Sequence, residues 1–382
     1  MKSDNYILVT GDFCPINRTE VLIRKNNYEA IFADFLPIIK SSAFAITNLE
    51  CPLTESYNGI SKTGPLLRAS PLAVNALSFA GFNIVTLANN HIMDFGIDGL
   101  ISTIDLCERN NISSVGAGKD RQSARAIKYV NIANTIVAIL NFSENEFSTT
   151  GGVYPGANPL NLVDNFYDIR IAKDNADYVI VIFHGGNEYF SLPSPRIKST
   201  LRFFADAGAS AVIGHHTHCY SGYEIYNDVP IFYSLGNFVF DNPQKRGSSW
   251  NNGFSVVLNF NKTMDFEIIP YKQCDKEAGV KLLGYEEKQT FNSNIEKMNK
   301  VILNDKQLEI SFMQYVNQVK NMYLSFLEPH SSKILHFLRI KKLFPSLLSQ
   351  RKRLLYFNLM RCESHREVLE HLLDTRSFKL DV

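Results

Sequence analysis

Histidine, amide and carboxylate side chains are concentrated in two short segments of the sequence. The segment LANNHIMDFG, residues 87–96, presents two asparagines, a histidine and an aspartate directly after an apolar run. The segment GHHTH, residues 214–218, places His216 and His218 two positions apart. Two imidazoles at this spacing can reach one cation or two adjacent cations, because neutral imidazole is a common metal ligand.

Further side chains of the same kinds follow other apolar runs. Asp12 follows YILVT, Glu50 follows FAIT, and His184 ends the run DYVIVIFH. Six of the apolar runs are followed by polar, metal-competent side chains, and the last of the six, PIFYSL, is followed by Gly236 and Asn237. One such residue is easily explained as a helix cap or a structural histidine, but six together indicate a shared site.

The donor types restrict the chemistry of that site. Mixed Asp, Glu, Asn and His donors suit Mn²⁺, Fe²⁺ or Zn²⁺ better than Ca²⁺, which prefers oxygen ligands, or a cysteine-rich structural zinc site. Two ions about 3.5–4 Å apart and bridged by a carboxylate can activate water and polarise a scissile group. We therefore predict a hydrolytic centre that holds two divalent metal ions.

The elements that must position these residues alternate between strands and helices. Apolar runs rich in β-branched and aromatic residues predict buried strands, and the stretches between several of them have helical spacing. This alternation predicts an α/β layered fold. In such folds functional groups collect at the carboxyl ends of the strands. The predicted strands cover residues 6–10, 44–47, 82–87, 134–140, 177–183, 210–213, 230–235 and 254–260, and the predicted helices cover 29–40, 70–81, 96–110 and 195–208.

Composition limits the partners and the location. The 39 Lys and Arg residues balance the 38 Asp and Glu residues, so no overall field favours nucleic acid. The six cysteines are dispersed without a CxxC pair, which favours reduced, buried thiols. The N-terminus lacks the features of a signal peptide, and no apolar run approaches the roughly 20 residues of a membrane-spanning helix. We expect a cytoplasmic protein.

The residue pattern of the sequence changes near residue 286. Residues 286–382 have longer amphipathic patterns and predict a helical C-terminal region, separate from a domain formed by residues 1–285. The stretch 333–361 carries eight Lys or Arg residues and no acidic residue. It is either a solvated face packed on the domain or a peripheral contact with an anionic membrane or a protein.

The ordered motifs GDF, NLE, LANNHIMDFG, HGGNEY, GHHTH and YSLGNFVFD, from Tyr6 to Asp241, resemble the poly-γ-glutamate capsule biosynthesis CapA family, a branch of the calcineurin-like metallophosphoesterase superfamily. The resemblance implies a four-layer α/β/β/α sandwich with the metal site at the strand ends. It also implies the metal ligands, which are Asp12, Glu50, Asn90, His184, His216 and His218.

The resemblance further implies roles around these ligands. Glu50 stands where the superfamily usually has a bridging Asp, and His91 is the acid that protonates a leaving group or stabilises the transition state. Asp94 either orients the His91 ring or caps the helix that starts near Gly96. His215 is expected to lie beside the metal ligands.

The sequence departs from the superfamily at Cys14. The superfamily begins with DxH, whereas this chain reads Asp12-Phe13-Cys14. Cys14 is therefore either a thiolate ligand or a buried, inert thiol.

Four residues near the motifs are candidates for substrate binding. Arg68 can bind an anionic group in bidentate fashion, and Glu188, Tyr189 and Asn237 lie in HGGNEY and YSLGNFVFD. The expected function is hydrolysis, through metal-activated water, of a phosphoester or of an amide or ester bond in an anionic small molecule, peptide or polymer, with poly-γ-glutamate among the candidates. The alternatives are a metal-assisted peptide or amino-acid epimerase and a non-catalytic protein of polymer assembly.

Overall fold

The computed structural model describes residues 5–327 except 133, 151, 261 and 262, then residues 334, 338 and 343, and finally residues 349–373. Its main body consists of two β-sheets, one of eight strands and one of six. A separate ribbon of two short strands completes the β-structure of the described residues.

The first sheet has the strand order β16-β15-β14-β1-β2-β3-β4, and β13 also pairs with β1. Strands β1 to β4 run parallel, as the crossover helices between them require. The strands of this sheet are β1 (Tyr6–Cys14), β2 (Phe44–Leu49), β3 (Ile84–Thr86), β4 (Ser113–Val115), β13 (Asn237–Phe240), β14 (Asn252–Phe260), β15 (Met264–Gln273) and β16 (Val280–Leu282).

The second sheet has the strand order β11-β12-β10-β9-β7-β6, with β7, β9, β10 and β12 parallel. Its strands are β6 (Lys128–Ile132), β7 (Thr135–Ser143), β9 (Tyr178–His184), β10 (Ala211–His215), β11 (Tyr223–Tyr226) and β12 (Val229–Phe232). The short ribbon pairs β5 (Ala117–Gly118) with β8 (Gly156–Ala157).

The two sheets pack face to face, and side-chain alternation shows how. Ile7 and Val9 of β1 lie in one buried cluster together with Ile180 and Ile182 of β9. The residue between the first two, Leu8, lies in a different cluster on the other face of its sheet. Successive side chains of a strand point to opposite faces, so each sheet has one inner and one outer apolar face.

Helices cover both outer faces, and further helices follow the sandwich. Helices α1 to α5 contribute to the cluster outside the first sheet, and α7 and α8 contribute to the cluster outside the second. The predicted four-layer α/β/β/α sandwich is thus confirmed. The helices are α1 (Arg18–Arg24), α2 (Glu29–Phe32), α3 (Leu36–Ser41), α4 (Ala73–Ala80), α5 (Gly96–Arg109), α6 (Arg121–Ala124), α7 (Leu162–Asn175), α8 (Pro195–Ala207), α9 (Tyr285–Leu303), α10 (Asp305–Leu327), α11 (Gln350–Arg361) and α12 (Glu363–Leu373).

One predicted helix is wrong in detail. The pattern over residues 29–40 predicts one helix, but the structure has α2, a 3₁₀ turn at Ala33–Phe35 and then α3. Ala33 has a positive φ of 41°, and Pro37 stands at the start of α3. Proline cannot donate a backbone hydrogen bond to the preceding turn, so it favours a new helix start at this point.

The C-terminal part of the described chain is helical, and α9 begins at Tyr285, but the division into domains at residue 286 stays a prediction. Lys333, Arg339, Lys341 and Lys342 of the basic stretch lie outside the described residues, whereas the basic residues from 351 onward belong to α11. No helix within the described residues is both long and apolar enough to cross a membrane.

Candidate metal centre

The strand registers bring the predicted ligands together. Asp12 of β1 pairs in register with Asn48 of β2 and with Asn237 of β13. In the second sheet, His184 of β9 pairs in register with His215 of β10. The carboxyl ends of strands from both sheets therefore meet at one edge of the sandwich, where parallel α/β sheets usually place their sites.

Glu50 lies at the middle of this edge and belongs to two groups of metal-competent side chains. One group is Glu50, His184 and His216, and the other is Asp12, Glu50 and His218, with ligand atoms within 4.8 Å of one another in each. Glu50 Oε1 lies 3.6 Å from His184 Nε2 and 3.7 Å from His218 Nε2. A carboxylate shared by two ligand sets has the placement of a bridging ligand.

Both oxygens of Glu50 are buried and accept no hydrogen bond from the described residues. Burial, followed by the charge of Asp12, raises the pKa of Glu50 well above its ordinary range. A buried carboxylate without donors is costly unless it is paired or bound to a metal. The residues present therefore fit divalent metal ions.

The group that contains His184 and His216 is completed by Asn90. Asn90 Oδ1 lies 3.1 Å from His184 Nε2, and His216 Nδ1 lies 3.1 Å from the same nitrogen. All three side chains are at least nine-tenths buried. One oxygen and two nitrogen donors thus surround the Glu50 carboxylate on this side, a set that suits Mn²⁺, Fe²⁺ or Zn²⁺.

Asp12 is held ionised on the other side of Glu50. Burial alone would raise the pKa of Asp12, but the hydrogen bond and charge of His215, with further charge from His184 and His218, lower it. Asp12 Oδ1 lies 3.0 Å from His215 Nδ1, and Oδ2 lies 3.8 Å from His218 Nδ1. His215 therefore contacts a ligand and orients it.

The backbone near these residues has positive φ angles and a close approach between two chain segments. His216 and His218 have positive φ angles of 95° and 57°, which residues other than glycine rarely adopt. A Cβ atom on Gly11 would lie 2.0 Å from the Gly236 carbonyl oxygen, the atom that accepts the Asp12 N–H. Only glycine at position 11 permits this approach, which fixes Asp12 at the end of β1.

His91 adjoins the ligands and is oriented by a buried network. His91 Nδ1 lies 2.6 Å from Asp94 Oδ2, and Lys62 Nζ donates to Asp94 Oδ1 at 2.6 Å. Helix α5 begins without a side-chain cap, so of the two arrangements expected for Asp94 the structure has the contact with His91. Burial and the charge of Lys62 lower the pKa of His91, although Asp94 acts to raise it.

Residues 6–242, well over half of the chain, match the family described as "Bacterial capsule synthesis protein PGA_cap". The chain belongs to this family. Relatives include the capsule biosynthesis protein CapA of Bacillus anthracis, 33% identical over 61% of this chain and 59% of the relative, and the PGA biosynthesis protein CapA of Bacillus subtilis, 32% identical over 68% and 69%. The chain thus spans less than two thirds of the length of the first of these. A solved structure of TT1561 of Thermus thermophilus is 12% identical, with a TM-score of 0.40 over 70% of this chain and 98% of that one.

The residue that departs from the superfamily motif points into the core of this family member. Cys14 is fully buried in the apolar cluster outside the first sheet. Burial and the neighbouring Cys51 raise the pKa of the Cys14 thiol well above its ordinary range. A thiol in these surroundings is a small apolar side chain and not a metal ligand.

Two of the four substrate-binding candidates border the centre. Tyr189 is 52% exposed, and its ring centroid lies 6.4 Å from that of His218. Glu188 is also exposed. Desolvation acts to raise the pKa of Glu188, but the charges of His218, His216 and His91 lower it overall.

The other two candidates are engaged elsewhere. The Arg68 guanidinium donates to the Ser56 carbonyl oxygen and stacks over the Tyr57 ring at 4.1 Å, so it does not reach the ligands. Asn237 is fully buried, and its Oδ1 lies 3.0 Å from His218 Nδ1. This placement makes Asn237 a support for His218 and leaves no free amide for substrate.

Sequence reasoning missed two supporting residues. Asn48 Nδ2 donates to Asp12 Oδ1 at 2.8 Å and lies 3.2 Å from His184 Nδ1, so one amide contacts both ligand sets. Its place two positions before Glu50, at the end of a predicted strand, was the available signal. Lys62 lies in the long loop between β2 and α4, where no periodic pattern distinguishes it.

Proposed function

We propose that this chain is a metal-dependent hydrolase that acts on a phosphoester, or on an amide or ester bond, of an anionic capsule-related substrate such as poly-γ-glutamate. The proposal depends on one observation above all, the position of Glu50 in two ligand sets without any hydrogen bond to its oxygens from the described residues. The oxygens of a purely structural glutamate would be hydrogen-bonded at this depth.

In this proposal Asp12, Glu50 and His218 hold one divalent ion, and Glu50, Asn90, His184 and His216 hold the other. Mn²⁺, Fe²⁺ and Zn²⁺ all suit these donors. When bound, the pair supplies an activated water and polarises the bond to be cleaved.

His91 is proposed to assist the leaving group. Its Nδ1 faces the Asp94 carboxylate, which leaves Nε2 as the ring atom available to a substrate. Asp94 is itself fixed by Lys62 and by the Leu67 backbone N–H, which donates to Asp94 Oδ2 at 2.7 Å. In its imidazolium form, which has a proton on each ring nitrogen, His91 oriented in this way can give the Nε2 proton to a departing oxygen or nitrogen.

The test is turnover of generic phosphodiester and γ-glutamyl substrates by protein equilibrated with Mn²⁺ or Zn²⁺. We expect His91→Gln to lower kcat about 100- to 10,000-fold while metal content is unchanged, because proton transfer contributes this much. Asp94→Asn should lower kcat in the same direction. His371→Gln, on α12, is the matched control and should have wild-type activity. Full activity in His91→Gln would refute the assignment of His91.

A non-catalytic role in polymer assembly is the second candidate. The names of the two Bacillus relatives, which describe biosynthesis proteins, favour it. Metal-loaded wild-type protein without turnover of any phosphoester or γ-glutamyl substrate would support assembly over hydrolysis.

We also propose a peripheral contact with an anionic membrane or a protein partner through residues 333–361. Of its described part, Arg351 and Arg353 are exposed on α11. Replacing both with glutamine should reduce sedimentation with phosphatidylserine vesicles or recovery of a partner, because each basic residue near an anionic surface contributes about 1 kcal/mol. Unchanged recovery in both assays would exclude the contact.

A further inference from the structure

A separate group of metal-competent side chains lies beside the candidate centre, where the C-terminal helices meet the sandwich. Glu146 follows strand β7, Cys362 separates α11 from α12, and His365 lies in the first turn of α12. One ligand atom of each lies within 4.8 Å of the others. The three residues therefore converge from parts of the chain more than 200 positions apart.

The surrounding contacts hold these residues in place. Ser364 Oγ donates to Glu144 Oε2 at 2.6 Å, and Glu363 accepts hydrogen bonds from the Asn145 backbone at 2.9 Å and side chain at 2.7 Å. His365 Nδ1 lies 2.7 Å from the Tyr323 hydroxyl, which leaves Nε2 as the second ring nitrogen. A ligand whose other ring nitrogen is hydrogen-bonded has a fixed orientation.

The Glu146 carboxylate gives an independent indication of a cation. Its side chain is only 13% exposed, yet within the described residues that side chain accepts no hydrogen bond, and its one ion pair is with His216 Nε2 at 4.0 Å. A carboxylate this buried is expected to have donors or a cation. Glu144, two positions earlier, meets this expectation through Arg196, but Glu146 does not.

Cys362 supplies the thiol of this group. The thiol is 2% exposed, and burial together with the charges of Glu144 and Glu146 raises its pKa well above the ordinary range. A buried thiol beside two carboxylates is unfavourable for thiolate formation in the absence of a cation. Without a cation Cys362 is therefore a neutral thiol, and a divalent ion that bound it would displace the thiol proton and offset the neighbouring carboxylates.

We propose that Glu146, Cys362 and His365 form a third divalent cation site of the zinc class, separate from the pair of ions centred on Glu50. Thiolate, imidazole and carboxylate are together the ligands of Zn²⁺, and three protein ligands leave one position open. An ion bound here links α11 and α12 to the loop that follows β7. It also fixes the carboxylate that faces His216, so its occupancy affects the neighbouring centre.

Cobalt substitution tests this site, because Co²⁺ bound to thiolate has a charge-transfer absorption in the near ultraviolet that oxygen and nitrogen ligands do not give. None of the residues assigned to the Glu50 centre is a cysteine. We expect the band in the Co²⁺-loaded full-length wild type and its loss in Cys362→Ser, together with loss of one equivalent of bound Zn²⁺. Cys107→Ser, which changes another buried thiol, is the matched control and should retain both.

Two further variants distinguish the third site from the proposed hydrolase centre and control for misfolding of Cys362→Ser. Glu50→Gln should lose the neighbouring ions but retain the thiolate band, whatever the enzymatic activity proves to be. His365→Gln, which leaves the thiol in place, should also lose one equivalent of Zn²⁺. A wild type without the band, or a Cys362→Ser variant that keeps it, would overturn the third site.

Discussion

Asp12 and Glu50 are two fully buried carboxylates that share one edge of the sandwich. Histidines surround both, and the pKa of Asp12 is lowered while that of Glu50 is raised. Opposite pKa shifts in two neighbouring carboxyl groups are typical of a charged functional site, because two carboxylates so close together cannot both be stable without a cation. Metal binding is the simplest way to stabilise both carboxylates.

Replacing Glu50 with glutamine tests this interpretation at a single residue. Glu50→Gln retains the volume but removes the shared charge, so we expect it to abolish binding of both ions, as measured by elemental analysis after dialysis. Glu296→Gln changes an exposed carboxylate on α9 and should bind metal like the wild type. A Glu50→Gln variant that retains two ions would show that Glu50 is not a bridging ligand.

The strand-end pattern predicted that most candidate ligands share one edge of the sandwich, but it did not predict the residues that support them. Strand-end positions identify Asp12, His184 and His216, because parallel strands end at a common edge. Lys62 could not be assigned in this way, since its contact with Asp94 joins segments far apart in the chain. Asn48 is at a strand end, but its supporting role depends on its contacts with Asp12 and His184. Nor does sequence alone distinguish Asn237 as a support for His218 from Asn237 as a substrate contact.

At the scale of secondary-structure elements, the strand ends and the helices that follow them determine the geometry of the candidate centre. The eight predicted strands are all present, with ends shifted by a few residues, because continuous apolar runs identify buried strands. Strands such as β15, with alternating and partly exposed residues, and β13, only four residues long, were not predicted. The positive φ angles of His216 and His218 depend on tertiary packing, so the amino-acid sequence does not predict them.

Asp241, next to the end of β13, anchors helix α1. It accepts hydrogen bonds from Arg18 Nη2 at 2.8 Å and from Arg246 Nη2 at 3.1 Å. Burial acts to raise the pKa of Asp241, but the bonds from Arg18 and Arg246 lower it overall. A carboxyl group whose pKa is lowered by folding stabilises the fold above its unfolded-state pKa and loses that contribution as pH falls through its folded-state pKa.

We therefore predict that Asp241→Asn lowers the free energy of unfolding at pH 7 by about 2 kcal/mol, the typical contribution of a hydrogen bond to a charged group. The difference from wild type should shrink as pH falls through the lowered pKa, because Asp241 then becomes neutral too. Urea unfolding of both proteins at several pH values measures this difference. Asp105→Asn, at a half-exposed pair with Arg109, should have little effect at any pH. An Asp241→Asn deficit that does not change with pH would contradict the assignment.

At the scale of the whole molecule, the C-terminal helices dock beside the candidate centre through buried charges. Arg196 of α8 donates to Glu367 of α12 at 3.0 Å and to Glu144 beside the centre at 2.5 Å. Glu367 also accepts a hydrogen bond from Ser194 at 2.7 Å. Amphipathic patterns predicted these helices, but the contacts join residues about 170 positions apart, which a sequence pattern does not reveal.

We expect Arg196→Met to weaken the contact between the C-terminal helices and the sandwich. Removing the arginine leaves two buried carboxylates without their partner, which typically costs about 3–5 kcal/mol. We expect amide hydrogen exchange in residues 350–373 to accelerate while β9 and β10 remain protected. Arg109→Met, at an exposed arginine of α5, should leave exchange unchanged. Wild-type exchange in Arg196→Met would show that other contacts hold the tail.

The central claim is that one edge of the sandwich holds two ions bridged by Glu50. Anomalous scattering from crystals of the full chain equilibrated with Mn²⁺ tests it most directly. The account predicts two peaks about 3.5–4 Å apart, on either side of the Glu50 carboxylate and within coordination distance of Asp12 and His184. A fully loaded crystal without a peak at Glu50, or with a single ion that Glu50 does not contact, would contradict it.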